Sequence, residues 1–360
     1  MDKIASDATV VMNDGSRVQP SAGAAAWRPR ALAALALLAA AITLALQAWL
    51  GPVTIYAPGL EAKRLMLHQA IVANAPPPGG WAAVGAASQN IRVTAVYAAQ
   101  MLHKASGIDI LRAYMVLDTV FLFTALMGFA LYLKRWMEPV WCLVGMLYFA
   151  AILPLSYFQH AFQPWDRMLL LTWLLLLAAI RGAHFWAALF GLGVAMTIKF
   201  DTALIALLYG MTYLSRNRFV RTLAECAGLV FVAWAVLALL KWALPAPAEP
   251  ARFSLSLASA QIAMNLQDFV VLNLRHPVLL AWAPLAFLAL WGLQRRSRFL
   301  IAGVAFASVL SVVWASFTVY AEMRAQMPLL FLLLPPALLT LREWLAPPNS
   351  AHRLPGLRQP

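Results

Sequence analysis

Acidic residues are scarce in this chain, 14 against 27 Lys and Arg, and several of them stand beside a base. Glu61, Arg64 and His68 follow an i, i+3, i+7 spacing that one helix face would carry. Asp166 directly precedes Arg167, Lys199 and Asp201 flank Phe200, and Glu322 and Arg324 flank Met323. His160 lies in the aromatic-rich run Tyr157 to Trp165 just ahead of Asp166. A carboxylate in reach of a hydroxyl can take its proton, and a neighbouring Arg can hold a phosphate through two parallel hydrogen bonds. Glu61 and Asp166 are therefore the candidate catalytic acids. Arg64, His68, His160, Arg167, Lys199, Asp201, Glu322 and Arg324 are the candidate substrate-binding residues. Beside each stands a plainer reading, in which the residue anchors a helix end or faces solvent. The chain has no GxxxxGK[ST], HExxH or GxSxG, so nucleotide-driven, zinc-protease and serine-hydrolase chemistry have no support. Scattered carboxylates could hold Mg2+ or Mn2+ through oxygen ligands, although no spacing demands it. Cys142 and Cys226, the only cysteines, both fall in apolar runs and read as buried thiols.

These residues must be positioned by membrane helices. Hydrophobic residues make up 63% of the 360, charged residues 11%, and the mean hydropathy is +0.75. Soluble domains carry about 25% charged residues. Fold class is accordingly an all-α polytopic membrane protein. A first span covers Ala31 to Leu50, and further spans are expected near 112–133, 138–157, 167–181, 184–199, 202–214, 222–244, 277–294, 299–320 and 327–342. That makes about ten transmembrane helices at roughly 20 apolar residues each, with 202–214 short enough to be broken or only partly spanning. Residues 1–27 read as a disordered cytoplasmic tail, 28–343 as one transmembrane domain and 344–360 as a second cytoplasmic tail.

Charge placement orients the spans. With the N-terminus in the cytoplasm, Arg28 and Arg30, Lys134 and Arg135, Arg181, Arg216, Arg218 and Arg221, Arg295, Arg296 and Arg298, and Arg342 all fall inside. Both termini are then cytoplasmic. The net charge of +13 comes from these topology signals rather than from a basic face, so no nucleic-acid partner is implied. The outer side collects the long 51–111 loop, Phe158 to Arg167, Lys199 and Asp201, the 245–276 loop, and Glu322 with Arg324.

Within the 51–111 loop, Gly59 to Asn74 predicts an amphipathic helix with Leu60, Leu67 and Ile71 on one face and Glu61, Arg64 and His68 on another. Pro76 to Gly80 ends it. Asn90 could cap a second helix running to about Ser106 with Arg92, Gln100, His103 and Lys104. The 245–276 loop predicts a short amphipathic helix around Ala258 to Leu272 that could close over an outer cavity. Asp118 lies inside the second span, where a lone carboxylate usually faces the bundle interior.

This arrangement resembles the bacterial GT-C superfamily of integral-membrane glycosyltransferases. Those proteins have many spans and a long first extracytoplasmic loop, with amphipathic helices and an acidic residue soon after the first span. The matching features are the 51–111 loop with Glu61, Lys199 on the outer side, and the Glu322-Met323-Arg324 element before the last span. The resemblance is architectural, covers about residues 28 to 343, and rests on short motifs. Many members carry Asp or an Asp-Glu pair where this chain has Glu61 followed by Ala62. The resemblance implies a polyprenyl-phosphate-linked sugar donor, a glycan or lipid acceptor, and a bacterial inner (cytoplasmic) membrane.

The resulting expectation is transfer of a sugar at the periplasmic face, with Glu61 as base and Lys199, Arg324, Arg64 and Arg167 offsetting phosphate charge. A transporter or flippase for a lipid-linked or anionic solute would use the same charges as a binding site, with Asp118 for proton coupling. No convincing internal repeat supports that class, although 199–202 interrupts a run. An O-antigen-polymerase-like enzyme would place its key loops later in the chain. A non-catalytic membrane subunit is the fourth reading.

Overall fold

The computed structural model describes residues 29–49, 60–80, 92–155, 165–244, 259–260, 262–267, 277–317 and 326–346. Among them are helices and turns, and no strand. His160, Glu322, Arg324, Asn90, the tail 1–27, and most of 245–276 and of 344–360 lie outside the described residues, as does the side chain of Glu61.

In chain order the helices are α1 Pro29–Trp49, α2 Leu60–Ala73, α3 Val93–Ser106, α4 Ile110–Leu133, α5 Pro139–Leu155, α6 Asp166–Arg181 and α7 Phe185–Ile198. There follow α8 Ile205–Tyr213, α9 Phe219–Ala243, α10 Pro277–Trp291, α11 Arg298–Phe317 and α12 Leu330–Leu345. The apolar runs of the sequence thus appear as helices within a few residues of their expected limits. The run at 202–214 is indeed broken: a 3-10 turn over Phe200–Leu204 leads into the nine-residue α8. Inside the partly described 245–276 loop, residues 259–260 and 262–267 are helical.

Length separates these helices. Among the described residues, four helical stretches are long and apolar enough to cross a bilayer: Arg30–Trp49, Ile110–Leu133, Arg216–Ala243 and Met327–Leu345. Four others, Pro139–Leu155, Phe185–Ile198, Trp282–Trp291 and Arg298–Trp314, are apolar but shorter. At 1.5 Å per residue the 14-residue α7 rises only about 21 Å, short of the roughly 30 Å of hydrocarbon. The described residues are those of a helical membrane protein, and four of their helices are of spanning length.

Burial identifies the centre of the bundle. Every residue of α12 from Leu330 to Thr340 is buried, Pro335 and Pro336 included. Prolines are tolerated within membrane helices where neighbouring groups satisfy the freed backbone. Phe129 of α4, Phe149 of α5 and Phe331 of α12 meet with ring centroids 5.1–5.2 Å apart. Gly145 lets α5 come in close, since a Cβ there would sit 2.7 Å from Leu133 Cδ1 and 2.9 Å from Leu338 Cδ1. By contrast, α9 packs on α7 and α8, and its exposed face carries Val230, Phe231, Trp234 and Leu239.

Polar contacts sort the turns into two groups. Arg181 stacks over Trp136 at 4.7 Å, the Tyr213 hydroxyl donates to the Ile180 carbonyl, and Arg298 donates to the Leu214 carbonyl. Arg342 pairs with Glu138 at 3.3 Å and Arg296 with Glu343 at 2.5 Å. The turns after α4, α6, α8 and α10, with the end of α12, therefore share one end of the bundle. That end holds the basic clusters of the sequence. Asp118 lies 15 residues up α4 from Leu133, about 22 Å away along the axis. The α2 and α3 helices pack at that opposite end, and the candidate site is built there.

Candidate functional site

The α2 helix presents Arg64, Leu67, His68 and Ile71 to the protein, all buried, while Lys63 and Gln69 face outward. The expected division into separate apolar and polar faces is therefore corrected: Arg64 and His68 share the buried stripe with Leu67 and Ile71. They are tolerated there because each meets a polar or aromatic partner. Glu61 lies one turn before Arg64 on the same helix.

His68 is held from two sides. Its Nδ1 lies 2.9 Å from the Tyr114 hydroxyl of α4 and its Nε2 lies 2.8 Å from Gln100 Oε1 of α3. With Gln100 accepting, Nε2 carries the proton and Nδ1 accepts from Tyr114, the arrangement of a neutral imidazole. Burial lowers the His68 pKa below its ordinary 6.5; the Gln100 hydrogen bond opposes this and the charge of His103 adds to it. The unfolded imidazole therefore takes a proton more readily than the folded one. Stability from this site is complete above the unfolded pKa of about 6.5 and declines as pH falls through and below it. Thermal unfolding of the detergent-solubilised protein at pH 7.5 and 5.5 should show a drop for wild type and a smaller drop for His68→Gln. Equal drops would assign the acid sensitivity elsewhere.

The α3 helix starts at Val93, with Arg92 rather than Asn90 in the cap position and no side-chain cap bond. A guanidinium at a helix N-terminus opposes the helix dipole, so a tertiary contact must hold it. That contact is Trp165, which precedes α6 and is 1% exposed. The Arg92 guanidinium lies 4.6 Å and the Arg64 guanidinium 5.2 Å from the Trp165 ring centroid. A desolvated cation over an indole gains about 2 kcal/mol. The Trp165 Nε1 has no hydrogen-bond partner among the described residues.

Next in the chain, Asp166 and Arg167 are both buried. Arg167 donates to Asp118 Oδ2 of α4 at 2.5 Å and to Gln47 Oε1 of α1. One guanidinium thus ties α1, α4 and α6 together. Asp166 lies within electrostatic range of Asp118, as does Arg64 of Tyr114. Asp118 Oδ1 has no hydrogen-bond partner among the described residues.

Lys199 and Asp201 form a separate pair at 2.8 Å, with the Lys199 ammonium 5.7 Å from the ring of Trp314 in α11. Their side chains are 12% and 15% exposed, so the pair is sheltered. Two residues before Lys199, the Thr197 and Thr94 hydroxyls are hydrogen-bonded and join α7 to α3.

Of the expected residues, Arg64, His68, Asp166 and Arg167 come together at one end of the bundle, while Lys199 is held by Asp201 and Trp314. Sequence reading passed over Gln47, Arg92, Gln100, Tyr114 and Trp165 as site members. Two of them left a signal: Gln47 is a polar residue in an apolar run, and Tyr114 stands one turn before Asp118. Together the residues form a largely buried cluster with three guanidiniums and two carboxylates. Such a cluster sets guanidinium charge, the kind that receives anions, close to carboxylates. Among the described residues there is no group of three or more His, Cys, Asp or Glu that could hold a metal ion. No family model, curated protein or solved structure matches the chain.

Proposed function

We propose that the chain is a membrane glycosyltransferase that moves a sugar from a polyprenyl-phosphate-linked donor to a glycan or lipid acceptor at the extracytoplasmic face. The observation that carries this reading is the meeting of Arg64, Arg92, Asp166 and Arg167 at the end of the bundle away from the basic turns. In this reading the basic turns are cytoplasmic, both termini lie inside a bacterial cytoplasmic membrane, and the shorter apolar helices complete about ten spans.

The chemistry asks for few groups. The bond between the sugar C1 and the phosphate oxygen breaks, a bond from the acceptor oxygen to C1 forms, and the acceptor proton passes to a carboxylate. Glu61 on α2 takes that role, with Asp166 the second carboxylate of the site. The polyprenyl phosphate leaves with the bonding electrons, and Arg64 and Arg92 offset the charge that develops on it. Arg167 is engaged by Asp118 and Gln47 and acts as the strut that sets the α6 terminus. Lys199 and Asp201 flank the site on the α7 side.

Membranes carrying Glu61→Gln at wild-type protein levels should lose transfer of radiolabelled sugar from the lipid phosphate to acceptor. Undiminished transfer removes Glu61 from the mechanism. Movement of the lipid-linked sugar across vesicles without covalent transfer would replace the transferase reading with a flippase.

A further inference from the structure

The end of the bundle that carries the basic turns holds more positive charge than it neutralises. Among the described residues its carboxylates are Glu138, Glu225 and Glu343, and each is taken. Arg342 holds Glu138 at 3.3 Å, Arg221 holds Glu225 at 2.9 Å and Arg296 holds Glu343 at 2.5 Å. Arg216 and Arg218, in the 3-10 turn between α8 and α9, are exposed, and neither side chain has an ion-pair or hydrogen-bond partner among the described residues. Arg298 of α11 donates to the Leu214 carbonyl just before that turn, which draws the α10–α11 turn and its exposed Arg295 alongside. Arg181 and Arg218 both lie within electrostatic range of Tyr213. Three turns therefore build one positive patch with Arg216 and Arg218 as its open members.

Depth and neighbours specify what meets this patch. The 25 residues of α9 rise about 37 Å, more than the roughly 30 Å of hydrocarbon, so its ends reach the headgroup layers. Trp242, 84% exposed near the far end, is a residue type that settles at such an interface. The two arginines precede the opposite end. Beside them Leu214, Phe219, Val220 and Leu223 are all exposed, Val220 at 78%, and this apolar surface continues down α9 to Val230 and Phe231. Insertion of the chain asks only for basic turns; it does not ask for exposed apolar side chains among them. A soluble anion would use the charges and leave the apolar surface bare. An amphiphile with an anionic head on Arg216 and Arg218 and its chains along Val220 and Leu223 uses both.

We propose that the α8–α9 turn is a binding site for an anionic phospholipid, whose phosphate lies on Arg216 and Arg218 and whose acyl chains lie on the first turns of α9. The inference rests on the membrane reading alone and does not require the chain to be a transferase.

The full-length protein, purified in mild detergent, can be titrated with phosphatidylglycerol or phosphatidylcholine and its retained lipid weighed by native mass spectrometry. Wild type should retain phosphatidylglycerol in preference to phosphatidylcholine. Arg216→Gln combined with Arg218→Gln should bind phosphatidylglycerol roughly 25-fold more weakly, about fivefold for each cation removed from a headgroup surface. Its phosphatidylcholine retention should stay at the wild-type level, which also shows that the variant is folded. Arg216→Lys combined with Arg218→Lys keeps both charges and should bind close to wild type. Lys63→Gln combined with Lys104→Gln removes the same charge from exposed positions at the opposite end and should bind as wild type. Equal retention of the two phospholipids by wild type overturns the site. So does an equal loss in the Lys63 and Lys104 variant, which would make the preference a matter of net charge. Displacement of phosphatidylglycerol by inorganic phosphate at the same concentration overturns it in favour of a soluble anion.

Discussion

Arg167→Met should lower the stability of the detergent-solubilised protein by roughly 3–5 kcal/mol, the cost of removing one partner from a buried ion pair. Its side chain is 1% exposed and that of Asp118 11%, so little water is available to replace the guanidinium. The substitution leaves the Asp118 carboxylate uncompensated and releases Gln47 of α1 together with α4. Methionine conserves much of the side-chain length and isolates the charge from the volume. Adding Asp118→Asn to Arg167→Met should recover part of the loss, since the unpaired charge is then gone. Arg167→Lys should fall between the two, because an ammonium cannot span Asp118 and Gln47 with a planar fork. Thermal and denaturant unfolding of the four proteins reads this directly. Wild-type stability in Arg167→Met would show that the pair contributes nothing.

The second large effect concerns activity. If the chain is the transferase proposed above, Arg64→Gln and Arg92→Gln should each cut sugar transfer by about 10²-fold, the usual loss when a donor aimed at developing charge is removed. Trp165→Phe keeps an aromatic face beneath both guanidiniums and should retain most of the transfer. The comparison separates two roles for the arginines. If they only pack on the indole, the glutamine variants should transfer at the wild-type rate. If they hold the leaving phosphate, both variants should lose rate while protein levels stay unchanged.

Helix positions were legible along the chain because apolar runs in a membrane protein answer to one requirement, the satisfaction of every backbone group within the segment. The α2 helix, expected over Gly59 to Asn74, spans Leu60–Ala73. The break after Lys199 was visible as an interruption of hydrophobicity, and the structure fills it with a 3-10 turn. The number of spans was less legible, since mean hydropathy does not distinguish a 16-residue apolar helix from a 20-residue one. Helix α6 shows this, with Asp166 and Arg167 inside its first turn.

The face that α2 buries was misread for a physical reason. Amphipathic reasoning places Arg64 and His68 in water unless something inside can receive them. The receivers are Trp165, Gln100 and Tyr114, which lie on other elements. Asn90 was the better cap by propensity, yet Arg92 occupies the cap position of α3 against the dipole, next to an indole that stabilises it.

By itself the sequence determined that this protein is helical and membrane-embedded, where its helices run, and that basic residues gather in alternate turns. Those properties follow from local hydropathy and charge. The tertiary structure alone decided that Arg167 meets Asp118 and Gln47 rather than standing as an isolated charge beside Asp166. It also decided that Arg64 and Arg92 share one indole. Such partners lie tens of residues apart, and only the packing of α1, α2, α3, α4 and α6 brings them within hydrogen-bonding or stacking distance.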